Sequence, residues 1–133
     1  MTQPAVLAAA DRLINAFFRH ETAAYFRAFS PDASFIFHNV NRRLENRADY
    51  QALWAQWERE DGFRVTGGRS SNRSVSLHGR IAIFSHDVLT ELNVRGEPRS
   101  NHERETIVFE EDASSGAWVA IHEHLSPAPA EAA

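Results

Sequence analysis

The chain of 133 residues contains no cysteine, which removes disulfide scaffolds, thiolate metal sites and thiol chemistry from consideration. It contains no lysine: all 14 basic residues are arginine, a composition in keeping with a GC-rich bacterial genome. No 18-residue apolar stretch occurs and the N-terminus lacks the cationic start of a signal peptide, so no membrane partner is expected and the protein reads as cytoplasmic. Basic runs are also missing. The longest is Arg42-Arg43, and 14 cations against 18 anions give a net charge of -4, so nucleic acid is not an expected partner. What the chain does have is 43% hydrophobic residues, nine Phe and three Trp, a globular composition rather than a disordered one. With no linker and no internal repeat, residues 1–133 read as a single domain, with 127–133 expected to form a frayed tail.

Residues 5–20 carry Val6, Leu7, Ala10, Leu13, Ile14, Phe17 and Phe18 at spacings of three and four, a stripe that predicts an amphipathic helix. Residues 21–29, with Tyr25, Phe26 and Phe29, predict a second, short helix closed by Ser30-Pro31-Asp32, because proline disfavours helical geometry in the residue before it. A strand is expected over 33–40, rich in aromatic and β-branched side chains. After a polar stretch with Asn39, Asn41 and Asn46, residues 48–60 return to helical spacing through Tyr50, Leu53, Trp54 and Trp57. Four apolar-rich runs follow, at 63–77, 80–94, 104–110 and 118–126, separated by the turn signals His78-Gly79, Gly96-Glu97-Pro98 and 112–116. This order predicts an α+β domain, three helices interrupted by one strand and laid on one face of a strongly curved antiparallel sheet.

Alternation divides each strand between two faces. In the last run Val119, Ile121, Glu123 and Leu125 share one, and Trp118, Ala120, His122 and His124 the other. Taking the aliphatic face as the covered one carries Glu123 into the cavity between sheet and helices, where burial raises a carboxyl pKa. The same choice upstream, the Ile107/Phe109 face and the Ile83/Leu89 face, brings Glu105 and Asp87 in beside it, although a single β-bulge reverses any such assignment. Two readings of these carboxylates stand side by side: partners of arginines near strand ends, or acids and bases of a pocket. The opposite face, with Phe84, Val88, Val108 and Trp118, is too apolar for water and predicts a homodimer formed sheet to sheet. His122 and His124 point to one side and invite a metal reading. The third ligand is missing, with His86 the only supplementary candidate, so no metal is expected and the two rings suit a subunit contact better.

The order of elements and the ending Trp118-Val-Ala-Ile-His-Glu-His-Leu-Ser-Pro-Ala-Pro resemble the nuclear transport factor 2-like (NTF2-like) superfamily, and within it the SnoaL-like branch. The match runs over nearly the whole chain: the first helix, Phe29-Ser-Pro-Asp-Ala, the strand after it, the third helix, and the hairpin from Arg104-Glu-Thr-Ile-Val-Phe to Trp118 fall in family order. The ending is also similar to the association domain of calmodulin-dependent protein kinase, a non-catalytic hub. The resemblance implies the NTF2-like, cystatin-like fold, a cone-shaped antiparallel sheet wrapped around the three N-terminal helices. That scaffold hosts cyclases, isomerases, epoxide hydrolases, dehydratases and plain binding modules. Where the ketosteroid isomerase branch has a carboxylate base and a helix-one tyrosine, this chain has Phe37 and Leu13; where the kinase hub has anion-binding arginines, it has Asp87, Ile107 and Leu125. Tyr25 carries over, Tyr50 stands in place of a pocket histidine, and His38 adjoins the lost carboxylate position.

The resemblance implies a flat, apolar, polyketide-like ligand and a role in bacterial secondary metabolism, handled by acid/base chemistry without a cofactor. His38, Asp87, Glu105 and Glu123 are the candidate proton handlers, and Tyr25 and Tyr50 the candidate donors. Tyr25, Phe35, Phe37, Tyr50, Trp54, Phe109 and Leu125 are the expected lining, with Trp54 favoured over Trp57. The alternative is a non-catalytic ligand-binding or oligomerisation domain.

Overall fold

Pro4 in the first turn, where its missing N–H costs nothing, and the apolar stripe that follows give α1 (Thr2–Phe18) in the computed structural model, which describes residues 2–129. A short α2 (Thr22–Arg27) precedes β1 (Phe29–Phe37). Next comes α3 (Arg47–Asp61), which starts where the Asn46 side chain accepts the Asp49 N–H at 2.8 Å and stops at Gly62, whose φ of +57° suits glycine. The meander β2 (Arg64–His78), β3 (Ile81–Val94), β4 (Glu97–Glu111) and β5 (Trp118–Pro127) completes the chain.

The sheet order is β1-β5-β4-β3-β2. The meander is antiparallel, as expected, and β1 adds beside β5 in parallel, which makes the sheet mixed and leaves it open. β1 begins four residues earlier than the proline suggested, because Pro31 falls between Phe29 and Ser34, where the register with β5 shifts and no ladder bond is required of it. Arg95 and Gly96, at φ +55° and +78°, form the two-residue turn whose twist matches that of the strands, and so let β4 run well beyond the 104–110 segment read from the sequence. Of the tail expected to fray, residues 130–133 lie outside the described residues, whereas Pro127 closes β5 and Ala128 N–H donates to the His102 carbonyl at 3.0 Å. No helix among the described residues is long and apolar enough to cross a membrane.

The inner face of the sheet changes character along its length. At one end Ala82, Phe84, Ile107, Phe109, Trp118 and Ala120 pack on Val6, Ala9, Ala10 and Leu13 of α1; at the other, the inward positions turn polar and leave a cavity. Two expectations about faces are corrected. In β3 the buried set is Phe84, His86, Val88, Thr90 and Leu92, so the Ile83/Leu89 face, with Asp87, points outward. Both faces of that strand carry aliphatic residues, and the polar His86 and Thr90 disguised the covered one. In β5 Trp118 and Ala120 are buried, and a bulge at Ile121 shifts the phase so that Glu123 is buried too, while Val119 and Ile121 are left on the other side. Phe84, Val88 and Trp118 therefore belong to the interior and not to an assembly face; Val108 alone of those four is outward.

Candidate active site

A cavity of about 320 Å³ opens between α1, α3 and the polar end of the sheet. Its helical side is apolar, formed by Leu13, Ile14, Phe17 and Phe18 of α1 and by Trp57 and Phe63 at the end of α3. Gly68 of β2 makes that wall possible: a Cβ there would overlap the Phe18 ring and the Leu89 carbonyl. The sheet side is polar along β4, because period two aims Arg99, Asn101, Glu103 and Glu105 inward in succession, beside Glu123 of β5 and His86 of β3, while Val88, Leu92 and Val94 of β3 keep it apolar alongside.

At the floor these side chains form one chain of hydrogen bonds. His86 has Nδ1 at 2.6 Å from Ser70 Oγ and Nε2 at 2.7 Å from Glu105. Glu105 faces Glu123, to which the Tyr25 hydroxyl donates at 3.4 Å, and Tyr25 and Tyr50 hydroxyls lie 3.0 Å apart. Tyr25 has one proton and directs it at Glu123, so Tyr50 is the donor in the tyrosine pair. Burial, and then the charge of Glu105, push the Glu123 carboxyl well above the ordinary glutamate value. Burial pushes Glu105 upward as well, but hydrogen bonds from Glu123 and His86 outweigh it and hold Glu105 below that value. The raised pKa of Glu123 beside the lowered one of Glu105 makes Glu123 the member of the pair that holds a proton more tightly, directed at Glu105. Burial and the nearby Glu123 also raise both tyrosine hydroxyls, which keeps them protonated donors.

Nearer the mouth, His38 Nε2 meets Glu103 at 2.6 Å. Burial raises the Glu103 carboxyl above its ordinary value, and the bond from His38 only partly offsets this. The remaining cavity carboxylate, Asp61, accepts from Arg95 at 2.9 Å.

Of the residues singled out from the sequence, Glu105, Glu123, Tyr25, Phe37, Tyr50 and Leu125 line the cavity. His38 stands at its rim through Glu103. Asp87 is outside, on the far face, 3.4 Å from the Asn72 amide and 3.7 Å from Arg104. Phe35 and Phe109 are buried in the core away from the cavity. Trp54 is likewise buried, stacked on His20, while Trp57, one turn further along the helix, reaches the opening. His122 and His124 occupy the outer face, where Ser34 Oγ lies 2.8 Å from His122 Nδ1; burial and then His124 lower the His122 pKa. His86 faces the opposite way and cannot join them, and no group of three metal-ligating side chains is assembled among the described residues. His86, Arg99, Asn101 and Glu103 were not singled out for the cavity. The last three share the phase of Glu105 and follow from it once β4 is known to extend to Glu97.

A family model for the SnoaL-like domain matches residues 6–131. Among solved structures the chain is similar to an NTF2-like protein from Cytophaga hutchinsonii (12% identity, TM-score 0.79, covering 96% of this chain and 99% of that one). It is also similar to the CaMKII hub from S. rosetta (19%, TM-score 0.75, 94% and 95%). A third likeness is to a nuclear transport factor 2 (NTF2-like) superfamily protein from Salmonella enterica (15%, TM-score 0.76, 98% and 96%). At these identities the likeness speaks to the fold. No curated protein matches the chain.

Proposed function

The chain belongs to the SnoaL-like domain family, and on that premise we propose that its cavity takes a small, flat, largely apolar ligand and performs cofactor-free acid/base chemistry on an oxygen-bearing group. One observation carries this reading: Glu123, its carboxyl pKa pushed up by burial, lies at the floor of the cavity between a tyrosine donor and a second glutamate. A neutral carboxyl in that position turns its one proton from Glu105 to a ligand oxygen as negative charge develops there, without the cost of moving an ion into the interior. Glu103, two positions along the same face from Glu105, is the base: burial raises its pKa and so makes it a stronger proton acceptor than an ordinary glutamate, and His38 connects it to solvent. The polyketide-like ligand, the bacterial secondary-metabolic setting and the cytoplasmic location implied by the family resemblance belong to the same proposal.

The test uses 2-tetralone in D2O, with deuterium incorporation next to the carbonyl followed by NMR. The wild type accelerates exchange, and Glu123→Leu, which removes the donor, and Glu103→Gln each lose about 10²- to 10⁴-fold of that acceleration. Exchange at the buffer rate, or unchanged in both variants, contradicts the reading.

A second reading, an assembly module, is favoured by the outer face, where Ile83, 39% exposed, pairs with Val108 and Val108 with His122. That strip is our proposed homodimer contact. Sedimentation equilibrium returning a monomer at tens of micromolar excludes it.

A further inference from the structure

Each carboxyl group of the cavity has a side-chain partner, and one cation there has none among the described residues. Glu105 is met by His86 at 2.7 Å, Glu103 by His38 at 2.6 Å and Asp61 by Arg95 at 2.9 Å, while Glu123 lies against Tyr25 and Glu105. Arg99 also lines the cavity, opposite Leu92 on β3, and forms no ion pair among the described residues. Asn101, two positions along the same face and therefore its neighbour, also lines the cavity, and its side-chain amide has no hydrogen-bond partner among the described residues. A guanidinium and a carboxamide side by side, both exposed and without a side-chain partner among the described residues, flank the entrance to a cavity whose carboxyl groups are each partnered. Planar, forked donors of this kind fit a carboxylate.

We infer that Arg99 and Asn101 form a carboxylate subsite, so that the ligand is an amphipathic acid, held at the mouth by its carboxylate and presenting a second oxygen to Glu123 at the floor. This inference rests on the small-molecule reading of the cavity and narrows it. The Glu123 carboxyl meets that of Glu105, and Glu105 is six positions along β4 from Arg99, about 20 Å of strand at roughly 3.3 Å per residue. The reach of an arginine and a glutamate side chain toward each other leaves on the order of 10 Å. Such a span suits two fused rings with oxygen functions at opposite ends. Leu92, Val94 and Phe18 supply the apolar surface between.

The experiment compares 6-hydroxy-2-naphthoate with its uncharged amide, 6-hydroxy-2-naphthamide, by calorimetry at low ionic strength. The acid should bind about tenfold more tightly or better, as expected of a charge-assisted pair over a neutral one. Arg99→Gln should bring the acid down to the amide and leave the amide unchanged; Arg99→Lys should restore part of the preference. Added salt should erode it, because the site is solvent-accessible. Equal binding of acid and amide to the wild type, or an acid indifferent to Arg99→Gln, overturns the carboxylate subsite alone. Failure of both compounds to bind at millimolar concentration overturns the small-molecule reading and the subsite together.

Discussion

The floor and the mouth of the cavity are built on the same pair of residue types, a histidine and a glutamate in contact at 2.7 Å and 2.6 Å respectively, yet they are set for different work. At the floor the His86 side chain is fully covered and Glu105 nearly so; at the mouth His38 remains 35% exposed. Water at the mouth reaches His38 and solvates whatever charge it and Glu103 carry. The floor has no such reserve, so each of its polar groups must be satisfied by another, and the chain from Ser70 to Tyr50 is the result. Burial makes one motif a fixed scaffold beside a carboxyl whose pKa it raises, and leaves the other in reach of solvent, the acid and the base of our proposal.

The comparison breaks most visibly at the floor. His86→Ala strips Glu105 of one of its two donors inside the protein and should cost about 3–5 kcal/mol of unfolding free energy, read from urea denaturation. A pH series sharpens it. Below the ordinary glutamate pKa of about 4.3, Glu123 is protonated whether folded or unfolded. Above it the unfolded chain ionises while the native protein keeps its proton, so stability falls as pH rises toward the raised native value, by at most about 1.4 kcal/mol per pH unit. Glu123→Gln keeps a donor to Glu105 and an acceptor for Tyr25 but cannot ionise, so it should flatten most of that fall. The raised Glu103 leaves a shallower residue of it. The opposite sign holds for Glu105, whose lowered pKa adds stability at neutral pH that is lost on acidification. The smallest effect belongs to the mouth: His38→Ala, at a part-exposed pair, should cost less than about 1 kcal/mol in the same denaturation experiment.

Helices were legible because their period is written in Val6, Leu13, Ile14 and Phe17, and again in Tyr50, Trp54 and Trp57, and nothing interrupts it. Strand faces were legible only where one face is clearly more apolar. Glu105, Ile107 and Phe109 fell on the correct side. β3 offers Ile83 and Leu89 on one side and Phe84, Val88 and Leu92 on the other, and only the packing of α1 decides between them, against the side that carries Asp87. Glu123 is inside through Leu125 and a bulge, not through Val119 and Ile121, and no residue type at Ile121 announces that bulge. Trp54 and Trp57 lie on neighbouring faces of one helix; which of them meets the cavity depends on how α3 crosses α1 and α2, which spacing alone does not carry.

The account turns on one proton. Infrared spectroscopy in D2O at neutral pH, comparing the wild type with Glu123→Gln, observes it directly through the carbonyl stretch of a protonated carboxyl group, which is separated from the carboxylate bands. The wild type should show one such band, absent from Glu123→Gln and unaffected by His38→Ala. No protonated carboxyl at neutral pH, or a band that survives Glu123→Gln, would contradict the neutral acid at the cavity floor.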